Sequence, residues 1–500
     1  MSTHDSVISS TVANRRFSVP GRVAVLALLA LFAYGVWAWS YQVSNGLGAT
    51  NMRDIQIWGA YIALFMFLVG ASAGGMIVAS IATVFHIDKI SHLSRYAVWV
   101  SLVTITIAGL TIIPDLGEPQ RFWHMFTYAS WTSPMIWDVI VVLGYGFMNL
   151  CYLWVHTRRD LAARHSWLAF GSRPATEGSA RGDHRLIAAF AYLAIPFAFA
   201  LHSITAFIIG TMPSHPYWYS TAMAPLFITS ALTSGVALVL LVLLALERLG
   251  RLEVGADARR WLAGFLAVAI LLNFFIIAVE VITISEGRLV GAWAAVSQLM
   301  IGSYGWIFWT EVVTGIAALA VVMTPRGRSS RPLVAAASGL VLLNVALERV
   351  QLIVGGLRYP NIGAAPGISL GTPAQLNMIG VPTRSSFVEV ARYTPSWVEW
   401  SIIVGLCALW GLLLLVGIRF LPLGTRHPAA LAASASPTRA AATPASAVAG
   451  RGLEGALPVA VLAAPTPSLG GQLDVRYEQW GALAKSDRLF APSDTRSARS

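Results

Sequence analysis

The sequence carries little charge for its length. Charged residues make up 11% of the 500 residues, whereas a soluble globular domain carries about 25%. Hydrophobic residues make up 56%, and the mean hydropathy is +0.67. This composition excludes a soluble enzyme, a disordered chain and a nucleic-acid binder. The net charge of +11 fits a polytopic membrane protein, because basic residues collect in the cytoplasmic loops of such proteins.

Cysteine is also scarce. Cys151 and Cys407 are the two cysteines, and both lie inside apolar runs. Two thiols cannot form a zinc site or ligate an iron–sulfur cluster between them, and this placement does not indicate a structural disulfide. The sequence has no pair of histidines spaced for bis-histidine haem ligation and no dinucleotide-binding loop. We therefore expect no haem and no metal in this chain.

Ten apolar runs are long enough to cross a bilayer, whose hydrocarbon core of about 30 Å needs about 20 helical residues. The first run ends in Trp37-Ala38-Trp39, which is typical of an interfacial anchor rather than a cleavage site, so we expect a retained helix. The predicted fold is an all-α bundle of about ten transmembrane helices. The runs lie near residues 22–40, 56–85, 97–114, 134–155, 186–210, 219–246, 261–284, 304–324, 333–355 and 397–421.

Arginine and lysine predict the orientation. The N-terminal tail and the loops after even-numbered spans hold 18 of these residues, and the loops after odd-numbered spans hold six. The positive-inside rule then places both termini in the cytoplasm of a protein of the cytoplasmic (inner) membrane. Residues 1–21 are the predicted cytoplasmic N-terminal tail and 22–421 the transmembrane domain. Residues 422–500, rich in Ala, Pro and Ser, are a predicted disordered cytoplasmic tail.

Two ionisable residues lie at similar depth in consecutive spans. Asp138 lies in the outer turns of span four, and His202 lies in the outer half of span five. Ionisable side chains inside a bilayer are costly and indicate a functional site, and a carboxylate removed from water suits a group that takes a proton from a hydroquinone. The alternatives are that Asp138 caps a helix or pairs with Arg121, and that His202 is a core histidine with satisfied hydrogen bonds.

A second group of ionisable residues lies in the loop after span three. Asp115, Arg121 and His124 fall there, and Pro114 and Pro119 indicate a turn. The alternative reading is a structural loop held by hydrogen bonds between Asp115 and Arg121.

A third group lies in spans seven to nine, and consists of Glu280, Glu311, Glu348 and Arg349. Adjacent residues of a helix do not face each other, so we expect Glu348 and Arg349 to have partners on neighbouring helices. That favours a structural role for the pair. A proton path through all four residues to the cytoplasmic side is the alternative.

Four segments of the sequence resemble the NrfD/polysulfide-reductase membrane-subunit family, whose members are quinone-binding anchors of molybdopterin oxidoreductases and related complexes. The resemblance covers roughly residues 50–420. The four segments are the small-residue stripe Phe67–Gly74, the loop Asp115–Trp123 followed by Ser133-Pro134-Met135, the run Leu201–Phe207 with Pro216-Tyr217-Trp218, and Pro395–Trp400.

The resemblance implies two four-helix bundles plus extra helices, with a menaquinone or ubiquinone site near the outer face. It also implies a ferredoxin-like iron–sulfur subunit docked on that face and a molybdopterin catalytic subunit beyond it. Some family members carry a histidine before the glycine stripe, where this sequence has Tyr61–Met66. That difference puts more weight on His202 and Asp138 for quinone binding, with Trp58 and Tyr61 as supporting pocket residues.

Two classes of function remain open. The first is a quinol-oxidising or quinone-reducing subunit, in which the chemistry of the terminal substrate lies in another subunit. Residues 134–138 also resemble the alternative complex III branch, whose partners are multihaem cytochromes. The second class is an ion- or proton-translocating transporter. The sequence has no convincing internal duplication, and its acidic residues cluster outward rather than at the midplane, which disfavours a transporter.

Overall fold

The computed structural model describes residues 19–53, 56–162, 177–287, 290–302, 304–358 and 393–424. Helices account for all the regular secondary structure in these ranges, as expected for an all-α protein. Nearly all of the two predicted tails, 1–21 and 422–500, lies outside the described residues.

Ten helices of the described ranges are long and apolar enough to cross a membrane, so the predicted ten spans are confirmed. We number them α1 to α10 in chain order. They are Val19–Asn45, Ala60–Val84, Ser94–Asp115, Pro134–Ala162, Glu177–Gly210, Met223–Arg248, Ala256–Glu286, Gly305–Met323, Arg331–Arg358 and Trp397–Phe420. Short helices at Asp88–Ser91, His124–Thr127, Val290–Ile301 and Pro325–Ser329 lie between them.

Contacts between helix ends show that consecutive spans are antiparallel. Arg95 at the start of α3 pairs with Asp160 near the end of α4 at 2.6 Å. Ser220, just before α6, donates to Glu280 near the end of α7 at 2.9 Å. We call the end of the bundle that holds Asp115-Leu116-Gly117 the DLG face, and the opposite end, rich in arginine, the arginine face.

Helix α2 is the centre of the fold. The most apolar window of α2 is 83% buried, against 11% for α1, and α2 packs against α3, α5, α6 and α9. Its glycines allow this, because a Cβ on Gly74 would lie 2.1 Å from the carbonyl carbon of Gly235 in α6. The stripe therefore serves close helix packing, as small residues do in membranes.

Helix α1 packs on α10, and α8 on α9. Whether these contacts form two four-helix bundles stays a prediction.

Several boundaries differ from the sequence-based expectation, most of all the end of α4, at Ala162 instead of 155, and the start of α5, at Glu177 instead of 186. Helix α2 begins at Ala60 instead of 56, and α6 begins at Met223 instead of 219, because the preceding residues form turns and extended chain. Helix α3 continues through Pro114 to Asp115, so the predicted turn starts at Leu116, two residues after Pro114. The carbonyl of Pro114 is held by the side-chain amide of Gln42 at 2.6 Å.

Candidate functional site

Asp138 on α4 contacts Thr205 of α5, the helix that also carries His202. Asp138 is 3% exposed, and the hydroxyl of Thr205 donates to its Oδ1 at 2.5 Å. His202 lies one turn from Thr205 on α5 and is 2% exposed. The predicted nearness of Asp138 and His202 therefore fits this packing, with Thr205 as an intermediary that sequence reasoning missed.

The hydrogen bonds of His202 define its tautomer. Its Nδ1 lies 2.7 Å from the carbonyl oxygen of Ala198, and a carbonyl only accepts, so Nδ1 carries the hydrogen. In the neutral ring, Nε2 then keeps a lone pair. Nε2 makes no hydrogen bond of good geometry among the described residues, although the backbone of Gly70 lies within hydrogen-bonding reach of the ring. A buried polar atom without a partner is rare, so this nitrogen can receive a ligand hydrogen bond or a proton.

The structure contradicts both alternatives for Asp138. Asp138 is the fifth residue of α4 and therefore does not cap that helix. Arg121 pairs instead with Glu118 at 2.7 Å, on an exposed part of the DLG face. The Glu118–Arg121 pair also takes the place of the Asp115–Arg121 hydrogen bonds considered above. The 3-10 turn Pro119–Arg121 places residues that are three apart on the same side of the turn, so Glu118 faces Arg121.

The ionisable residues of spans seven to nine form a second cluster, and its Arg349 lies within electrostatic range of the His202 ring. The amide of Asn273 donates to Glu348 at 3.3 Å, and the Arg349 guanidinium lies 4.0 Å from the Phe227 ring and donates to Ser230. The predicted partners on neighbouring helices are therefore present. Glu348 and Arg349 also contact each other, because their long side chains reach round the helix to 3.6 Å.

A narrow cavity adjoins this cluster. Its volume is about 60 Å³, which is room for about four water molecules. Three glutamates face it, one from each of α7, α8 and α9. Its polar lining residues are Glu280, Glu311, Glu348, Gln351 and Tyr217. Tyr217 lies outside the spans, where burial, and next the charge of Glu311, raises the pKa of its hydroxyl.

The remaining predicted site residues divide between the core and the surface of the DLG face. Tyr61 is fully buried and donates to Gln42 at 2.7 Å, and Asp115 has a buried Oδ1 without a partner among the described residues. Trp58 stacks on Trp218 with ring centroids 6.0 Å apart. His124 lies on the loop side, against the edges of Trp123 and Tyr128. None of the described contacts joins Arg121 or His124 to Asp138.

Sequence reasoning missed a clamp that joins the start of α2 to the start of α10. The fully buried Glu399 accepts hydrogen bonds from Tyr393 and from the backbone of Asn51. The Tyr393 oxygen in turn accepts from the backbone N–H of Ala60 at 2.7 Å. Burial, and next the charge of Glu399, raises the pKa of the Tyr393 hydroxyl. The capping pattern Ser396-x-x-Glu399 was the available signal.

Comparisons with known proteins agree on one family. The family model described as "Polysulphide reductase, NrfD" matches residues 48–361. A putative membrane subunit of dimethyl sulfoxide reductase from Halobacterium salinarum is 36% identical over 82% of this chain and 92% of its own length. A selenate reductase subunit from Mesobacillus selenatarsenatis is 21% identical over 81% of this chain and 93% of its own. The Hdr-like menaquinol oxidoreductase integral membrane subunit of Archaeoglobus fulgidus is 27% identical, over 80% and 92%.

Proposed function

Because the chain belongs to the NrfD polysulphide reductase family, we propose that it is the quinone-binding membrane subunit of a respiratory oxidoreductase complex. The relatives are named as subunits of reductases for dimethyl sulfoxide and selenate, and one as a menaquinol oxidoreductase subunit. That last name supports the part of the proposal that makes a quinone, menaquinone in the first instance, the small-molecule reactant.

The observation that carries this proposal is the buried pair of Asp138 and His202. Oxidation of a hydroquinone releases two electrons and two protons, so the site needs a group that takes a proton from each quinol oxygen in turn. Asp138, positioned by Thr205 at 2.5 Å, is the proton acceptor of this proposal. His202 accepts the hydrogen bond, and then the proton, of the second oxygen through Nε2, which makes no hydrogen bond of good geometry among the described residues. Quinone reduction uses the same groups in reverse.

The partner subunit is proposed to dock on the DLG face. Five aromatic side chains of the loop after α3 are exposed there, which is typical of a surface that another protein covers. An iron–sulfur subunit in this position would pass electrons between the quinone and a molybdopterin catalytic subunit. A multihaem cytochrome is the alternative partner. The exposed aromatic residues are Phe122, Trp123, Phe126, Tyr128 and Trp131.

A second candidate function is proton movement through the cluster of Glu280, Glu311, Glu348 and Arg349. The cavity among the three glutamates, with room for about four water molecules, favours it. This candidate adds to the quinone site and does not replace it.

Quinol-linked turnover of the purified complex tests the proposal. Asp138→Asn keeps the size of the side chain and an oxygen that can accept the hydrogen bond of Thr205, but it removes the carboxylate that accepts the proton. We expect this variant and His202→Ala each to lower turnover by about 10²-fold or more, the usual scale for a general acid–base group. Electron transfer from an artificial dye to the partner subunit should be unchanged, because that transfer does not use the quinone.

Matched controls are Asp257→Asn, an exposed carboxylate paired with Arg260, and His92→Ala between α2 and α3. Both should retain full turnover. Full quinol-linked turnover in Asp138→Asn and His202→Ala would place the quinone chemistry elsewhere in the chain.

A further inference from the structure

Positive charge is concentrated at the corner of the arginine face where α7, α8 and α9 meet. The segments 247–260 and 324–331 contain seven arginines and three carboxylates. The short helix Pro325–Ser329 lies in the second segment and packs against all three spans. We call Arg259, Arg260 and Arg328, together with Ser329, the basic corner.

Arg259, in the first turn of α7, is the buried part of the basic corner. It is 7% exposed, so its guanidinium does not reach into water as the arginines at the ends of membrane helices usually do. Its Nη2 donates to the carbonyl of Ser329 at 3.0 Å. Its Nε and Nη1 are buried without a hydrogen-bond partner among the described residues. Burial of a charge is costly unless an opposite charge lies close to it.

The three carboxylates of these segments do not supply that opposite charge. Glu247 pairs with Arg331 at 3.0 Å, and the exposed Asp257 faces Arg260 at 3.8 Å. Glu253 is exposed. Among the residues that the structure describes, no carboxylate forms an ion pair with Arg259. The positive charge of Arg259 is therefore left uncompensated beneath the surface of the basic corner, where it attracts an anion more strongly than a fully solvated charge would.

Arg328 lies against the next turn of α7 and is half-buried. Its Nη1 would lie 3.4 Å from a Cβ on Gly264, so the glycine leaves room for the guanidinium against the helix. Its Nη2 donates to the carbonyl of Met323, the last residue of α8, at 3.3 Å. Arg328 therefore sits between α7 and the end of α8, with part of its side chain open to the surroundings.

Ser329 joins the three guanidinium groups. Arg259 donates to its carbonyl, Arg260 donates to its hydroxyl at 3.1 Å, and Arg328 precedes it in the chain. The side chain of Thr324 caps the short helix that carries Arg328 and Ser329. These contacts hold the guanidinium groups together before a ligand arrives, and such preorganisation favours binding.

The surroundings of the basic corner are apolar and exposed. Leu249, Met323 and Leu333 lie at the ends of α6, α8 and α9 with their side chains exposed. Trp261 stacks on Phe265 with ring centroids 5.7 Å apart, and tryptophan is enriched where a membrane meets water. A ligand that suits this place carries a negative charge at one end and apolar chains at the other. An anionic phospholipid has both parts, whereas free phosphate has only the first.

We propose that the basic corner binds the phosphate headgroup of one anionic phospholipid from the leaflet at the arginine face. Arg260 and Arg328 donate charge-assisted hydrogen bonds to the phosphate oxygens, and Arg259 beneath them supplies the uncompensated charge. The acyl chains lie along the exposed Met323 and Trp261. Basic sites between helices on the cytoplasmic side are suited to anionic headgroups. This binding does not depend on the proposed quinone site.

Native mass spectrometry of the purified full chain in detergent tests the proposal. The chain is titrated with phosphatidylglycerol, or with phosphatidylcholine of the same acyl chains, and the bound lipids are counted at each concentration. We expect one phosphatidylglycerol to bind about tenfold or more tightly than any phosphatidylcholine, the scale of one or two hydrogen bonds to a charged group. Phosphatidylcholine binding as tight as that of phosphatidylglycerol would overturn the proposal.

The decisive variants are Arg259→Gln and Arg328→Gln. Each should weaken the binding of phosphatidylglycerol by about tenfold and leave the binding of phosphatidylcholine unchanged. Arg328→Gln decides alone if Arg259→Gln fails to fold, because Arg259 also holds Ser329. Arg22→Gln, with an exposed arginine of α1 on the same face, is the matched control for the change in net charge. It should weaken phosphatidylglycerol binding by less than about threefold.

Three outcomes would overturn the assignment. Equal phosphatidylglycerol affinity in the unchanged chain and in both variants would show that the basic corner is not the site. An effect of Arg22→Gln as large as that of Arg328→Gln would reduce the binding to a general attraction between charges. Inorganic phosphate in large excess should not displace the lipid, and displacement would assign the basic corner to a free anion.

Discussion

Replacement of Gly74 by alanine should separate the two central helices. A Cβ at this position would lie 2.1 Å from the carbonyl carbon of Gly235 and 2.2 Å from its Cα, whereas carbon atoms pack at about 3.5–4.0 Å. Helices α2 and α6 must therefore move apart by about 1.5 Å. Overpacking of this kind typically costs about 1–3 kcal/mol. We expect a loss of about 3 kcal/mol in the free energy of unfolding, because the clash is with backbone on both sides.

Gly70 supplies the matched control, one turn earlier in the same helix. Its added Cβ would lie 3.5 Å from the hydroxyl of Ser234, which is ordinary contact. Gly70→Ala should change the free energy of unfolding by less than about 1 kcal/mol, in the range of the intrinsic helix preference of alanine. The measurement is reversible unfolding of the purified protein in mixed micelles. Equal stability of Gly74→Ala and Gly70→Ala would refute the close approach of α2 and α6.

Three further expectations concern the helix ends. Asp183→Asn should lower the free energy of unfolding by about 3 kcal/mol in the same micelle assay, because it leaves the buried guanidinium of Arg158 without its carboxylate. Burial lowers the pKa of His215 below its ordinary 6.5, although the hydrogen bond to the Gly356 carbonyl opposes this shift. The unfolded chain therefore binds the proton more readily than the folded protein does. As a result, the stability of the folded protein falls as the pH drops below about 6.5. His215→Asn should therefore flatten the fall in melting temperature between pH 7 and pH 5. A reporter fused after Leu423 should be active only in its cytoplasmic form, and a periplasmic readout would overturn the proposed orientation.

The number of spans could be predicted from the sequence, because each helix must bury about 20 apolar residues in lipid. Hydropathy does not distinguish a helix start from apolar loop residues. Trp58 was therefore assigned to a span, although it precedes α2 and stacks on Trp218.

The packing of the two helices that carry Asp138 and His202 could be predicted because the two spans are antiparallel and joined by one loop. Thr205 could not be identified, since a threonine inside an apolar helix usually bonds to its own backbone, as this one also does with Leu201. Which neighbours such side chains face depends on packing between distant helices, and this sequence alone does not specify it.

Photolabelling of the complex with an azido-menaquinone tests the location of the quinone site most directly. Digestion and mass spectrometry would identify the labelled peptides, and unlabelled menaquinone should suppress the specific label. The account predicts label on α4 and α5 in the peptides that contain Asp138 and His202. Suppressible label confined to the peptides that contain Glu280, Glu311 and Glu348 would contradict it.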